Sequence, residues 1–168
     1  MPTMTTVFLV MLPVFPFLVR WVIIRHFKNE MVVAQTEEQN ERDTHRNLTI
    51  ALAGFSFQGV IALAIVNNWA GQDLNYAVYY LLISFLCYFS ALNLQGYKFL
   101  AWHDQIGDAF LESGSLSLML SIAGVVLSKG VTWFGLAISA IALMVWGADF
   151  AIRVNLNWKY LSRRSSQC

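Results

Sequence analysis

The chain has 168 residues, of which 57% are hydrophobic and only 12% charged, with a mean hydropathy of +0.54, whereas soluble domains run at about 45–50% apolar and about 25% charged. Such a surplus of apolar surface needs a solvent other than water. Four or five spans of about 20 residues use most of the length, so residues 1–168 read as a single polytopic membrane domain with little left for an extramembrane enzyme. A formal charge of +1 argues against a nucleic-acid partner held by long-range electrostatics.

The first apolar run, residues 7–24, carries Pro13 and Pro16 and is interrupted by Arg20. A cleaved signal would carry basic residues ahead of its apolar stretch. Here residues 1–6 have none, while Arg20, Arg25 and Lys28 lie within or after the run. The run is therefore read as a kinked or tilted span whose Arg20 snorkels to the interface, with a short interfacial or re-entrant helix as the alternative. The polar segment 28–47 follows, rich in helix formers and in alternating charges such as Glu38, Arg42 and Arg46. It predicts a helix that begins well before Leu48 and shows a solvated charged face.

Run 48–66 places Gln58 near its centre, with Gly54 and Ala62 one turn to either side. A polar amide between small residues predicts a hydrogen bond to another helix approaching that face. Run 76–94 contains Cys87, read as a small buried hydrophobe. The linker into the next span holds Asp104, Asp108 and Glu112 at i, i+4 and i+8, an acidic stripe on one face if the segment is helical. Glu112 then falls near the hydrocarbon boundary, where a carboxylate must face protein, water or a counter-ion. Run 110–127 continues with Ser113, Ser117 and Ser121 on one face, a small-residue surface suited to close helix contact or to wetting a pore. Run 131–152 ends beside Asp149 and Arg153, whose i,i+4 spacing predicts an ion pair.

The distribution of Lys and Arg gives the orientation. Basic residues cluster between the first and second runs, at Lys98 and in the tail 153–168, while Lys129 is alone on the other side. By the positive-inside tendency, five spans place the N-terminus outside and the C-terminus in the cytoplasm. A four-span arrangement, with the first run flat on the cytoplasmic side, keeps the same orientation elsewhere. The expected location is the plasma membrane, or the inner membrane if the source is bacterial.

The chain has no Gly-rich phosphate loop, His-Glu-x-x-His, Cys-x-x-Cys or Gly-x-Ser-x-Gly. No enzyme activity and no cofactor are expected, and His103, Asp104 and Asp108 lack a defining metal-ligand spacing. The sequence points first to a small homo-oligomeric channel, cation-conducting, in which Asp104, Asp108 and Glu112 form an acidic cytoplasmic vestibule and Ser113, Ser117 and Ser121 line the pathway. The alternative is a non-conducting anchor, assembly or signalling subunit that docks a soluble partner through its cytoplasmic segments. In both, the lipid bilayer is the surrounding medium and self-association is expected.

Overall fold

All the described elements are helical. The structure is a computed structural model and describes residues 11–27, 39–70, 75–95, 101–128 and 132–165. A 3₁₀ turn, Leu12–Val14, leads into α1 (Phe15–His26), followed by α2 (Gln39–Ala70), α3 (Asn75–Gln95), α4 (Ala101–Ser128) and α5 (Thr132–Ser165). Four of the five are long and apolar enough to cross a membrane, over Arg46–Ile65, Tyr76–Leu94, Trp102–Val126 and Ser139–Arg163. The chain is thus an all-α, multi-pass membrane protein.

The described part of run 7–24 is the 3₁₀ turn, which carries Pro13, and α1, which carries Pro16. Pro16 stands in the first turn of α1, where its missing N–H has no intrahelical partner to lose. The 12 residues of α1 measure about 18 Å at about 1.5 Å per residue, short of the roughly 30 Å hydrocarbon core. Residues 7–10 of that run lie outside the described residues, and with them the expectation that the run spans the membrane. α4 differs from run 110–127 in beginning at Ala101, so that the acidic linker and the serine-bearing span form one continuous helix. α5 likewise continues past Ile152 to Ser165, whereas α2 starts at Gln39, well before Leu48 as its sequence predicts.

α4 is the hub of the bundle. It packs most extensively on α3, and α5 and α1 also lie against it, while α2 packs on α3. The registers are antiparallel at each step. Ser56 of α2 meets Ser84 of α3, Ala77 and Ser84 of α3 meet Ser121 and Gly114 of α4, and Trp146 of α5 reaches Glu112. This up-and-down order follows from short connections between long helices.

Lipid supplies no hydrophobic driving force between helices, so close contact and internal hydrogen bonds must hold them. The α3–α4 seam is built accordingly, from Ala77, Ser84 and Ala91 against Ala109, Ser113, Ser117 and Ser121, all buried. At Gly124 the approach is closest to the backbone: a Cβ there would stand 3.4 Å from that of Ala77 and 3.6 Å from its Cα. At Gly114 an added Cβ would lie 3.1 Å from the Tyr88 ring. The outer faces, by contrast, are bare: only 6% of the α5 span and 17% of the α2 span is buried, which leaves these two surfaces to lipid or to other chains.

Candidate functional site

The acidic stripe of α4 climbs from solvent into the bundle. Asp104 is exposed, Asp108 half-buried and Glu112 buried. α1 runs antiparallel alongside, from Pro13 beside Ser113 through Phe17 against Phe110, and this brings Arg20 level with Glu112. Arg20 is only 1% exposed. Its Nε donates to Glu112 Oε2 at 3.1 Å and its Nη2 to Glu112 Oε1, a bidentate fork that matches guanidinium to carboxylate. Its Nη1 donates to Gln105 Oε1 at 2.6 Å and stands 3.4 Å from Asp108 Oδ2.

Arg20 therefore does not snorkel to the interface. Snorkelling serves a cation with no acceptor within reach, whereas here Gln105, Asp108 and Glu112 occupy successive turns of one helix face and present three acceptors to it. The end of α1 is fixed by Ile23, Phe27 and Leu161, with Trp102 and Val154 against them, and by His26 stacked on Trp158. These contacts hold the height at which Arg20 meets α4.

The serine stripe faces inward. Ser113 donates to the carbonyl of Pro13 at 2.7 Å and accepts from Cys87 Sγ at 3.5 Å. Ser121 donates to the carbonyl of Ala77 at 2.9 Å, and Ser84 to that of Gly114 at 2.9 Å. Ser117 Oγ is buried without a hydrogen-bond partner among the described residues. Thus Glu112, Ser113 and Ser121 contact neighbouring helices of the same chain, and Asp104 alone of the six stripe residues is exposed.

Gln58 is placed differently. It is exposed on the outer face of α2, together with Gly54 and Ala62, and a Cβ at Gly54 would meet nothing within 4 Å. Asp149 and Arg153 form their pair at 2.8 Å, with side chains 59% and 55% exposed.

A cleft of about 140 Å³ joins the two charged groups. It lies between Leu48, Thr49 and Leu52 of α2 and Trp146, Asp149, Phe150 and Arg153 of α5, two helices that share no extensive packing among the described residues. Its floor is Tyr88, Leu111, Glu112 and Ser115. Glu112 thus has Arg20 on one side and the cleft on the other. Trp146 Nε1 donates to the Glu112 carbonyl at 3.2 Å, and the Tyr88 and Ser115 hydroxyls bond each other at 3.1 Å. Among the described residues no three His, Cys, Asp or Glu side chains gather closely enough to hold a metal ion.

Three members of this site were not singled out from sequence as partners of Glu112: Arg20, Gln105 and Trp146. Arg20 had a usable signal, a lone cation in an apolar run of a chain whose α4 carries carboxylates on one face. Comparison of the chain with protein-family models, with curated proteins and with solved structures finds no match in any of the three.

Proposed function

We propose that the protein is a non-conducting membrane subunit, an anchor or assembly factor that works by association. Inside the bilayer it pairs through the outer face of α2, and at the end predicted to be cytoplasmic it meets a soluble partner through the polar segment 28–47 and the tail after Arg153. The observation that carries this reading is Gln58. A glutamine amide well inside the Arg46–Ile65 span, exposed and without a hydrogen bond among the described residues, is costly in hydrocarbon until another chain satisfies it. Gly54 and Ala62 let that chain come close enough to do so.

The same geometry disfavours a pore through the bundle. Most of the groups that would coordinate an ion there are engaged, Glu112 by Arg20 and Ser113 and Ser121 by backbone carbonyls, with the Ser117 hydroxyl as the exception. Two measurements on one preparation test the reading. Single-molecule photobleaching in bilayers should show association that Gln58→Leu reduces, and liposomes should show no ion flux under voltage or pH gradients. Cation flux that persists in well-folded protein would instead support the homo-oligomeric channel, with conduction along an interface between copies. Strictly monomeric protein that captures no partner in the membrane would refute the role assigned to α2.

A further inference from the structure

We propose that the cleft between α2 and α5 binds an organic ammonium group. Its volume of about 140 Å³ is close to the roughly 150 Å³ that admits a benzene-sized molecule, so the cleft takes a group of a few heavy atoms. Along the line from α1 to α5, two guanidinium groups, Arg20 and Arg153, face three carboxylates, Asp108, Glu112 and Asp149. Of these, Glu112, Asp149 and Arg153 line the cleft itself, two carboxylates to one guanidinium within walls that are largely apolar.

The walls select the kind of cation. Trp146 and Phe150 stack with centroids 5.1 Å apart and planes 12° from parallel, and Tyr88 adds a third ring at the floor. Aromatic surfaces attract cations through the ring quadrupole, and they suit one clothed in methyl or methylene groups. A bare metal ion needs several oxygen ligands instead. Here the hydroxyls of Tyr88 and Ser115 are bonded to each other, and the indole N–H of Trp146 is taken by a backbone carbonyl. What remains is aromatic surface beside the Asp149 carboxylate, whose Oδ2 alone is paired, with Glu112 behind it held by Arg20.

Arg153 adds a second element. Its bond to Asp149 uses Nε, which leaves both terminal guanidinium nitrogens, unbonded among the described residues, for an anion next to the ammonium position. An ammonium joined to a phosphodiester is the headgroup chemistry of a zwitterionic phospholipid, which has a sideways entry where α2 and α5 share no extensive packing. A free organic cation would satisfy the carboxylates and rings without using Arg153. The ammonium chemistry is shared, and the site rests on the cleft alone, independent of the role given to Gln58.

The full chain in detergent, titrated with tetramethylammonium and with glycerophosphocholine at constant ionic strength, tests this through Trp fluorescence and thermal protection. Saturable binding of at least one probe is expected, weakened by about tenfold or more in Asp149→Asn and in Trp146→Leu. Arg153→Gln separates the sources: loss of glycerophosphocholine alone indicates a lipid headgroup, and an unchanged response to both indicates a free cation. Glu112 is left intact because its loss also frees Arg20. An equal response to sodium chloride, or binding unchanged in both Asp149→Asn and Trp146→Leu, would overturn the proposal.

Discussion

Replacing Arg20 by Met should be among the most damaging single changes to this fold. Arg20 is 1% and Glu112 8% exposed, so solvent screens their pairing little. The substitution removes two bonds to Glu112 and one to Gln105 and leaves a buried carboxylate without its cation. Removing one partner of a buried pair costs about 3–5 kcal/mol, or about two to three and a half orders of magnitude in the folded-to-unfolded ratio. Glu112→Leu alone should cost a similar amount, because it strands the guanidinium. The double variant Arg20→Met, Glu112→Leu replaces the pair with apolar groups of comparable volume, a change that is often neutral or stabilising. Reversible unfolding in mixed micelles, followed by Trp fluorescence and far-UV circular dichroism, gives the cycle. The coupling energy should be at least about 3 kcal/mol. Additive losses in the double variant, or a stable Arg20→Met, would refute the buried fork as a determinant of α1 docking.

The exposed pair should behave in the opposite way. Asp149→Asn, measured in the same unfolding assay without added ammonium compounds, should change stability by no more than about 1 kcal/mol, because surface ion pairs are solvated and mobile. At the α3–α4 seam, Gly124→Ala should be nearly neutral, since the new methyl meets Ala77 at ordinary contact distance. Gly124→Leu should cost about 1–3 kcal/mol by forcing the two backbones apart, and an unfolding midpoint equal to wild type would show that the helices do not approach there.

The membrane class and the positions of the long spans were legible in sequence because burying about 20 consecutive apolar residues in lipid is a local property. Run 76–94 coincides with the span Tyr76–Leu94. The ends were less legible. α4 starts at Ala101 and α5 runs to Ser165, because a helix extends wherever the backbone can hydrogen-bond to itself, including through polar residues that a hydropathy pattern assigns to loops.

The direction of the polar side chains was legible only where both partners sit on one helix, as for Asp149 and Arg153. Spacing alone puts Asp104, Asp108 and Glu112 on one face, but it cannot tell a vestibule from an internal ion pair. That choice depends on Arg20, which is 92 residues from Glu112 in sequence and meets it only because α1 lies antiparallel on α4. The small-residue faces of α2 and α4 show the same division. Their sequences are alike in kind, yet α4 turns its serines into the bundle while α2 turns Gln58 out of it. The sequence by itself determined that these helices live in a bilayer, since transfer into lipid depends on each segment's own composition. Only the tertiary structure decided which polar groups are already satisfied and which still need a partner, because a hydrogen bond or an ion pair requires two groups to meet in space.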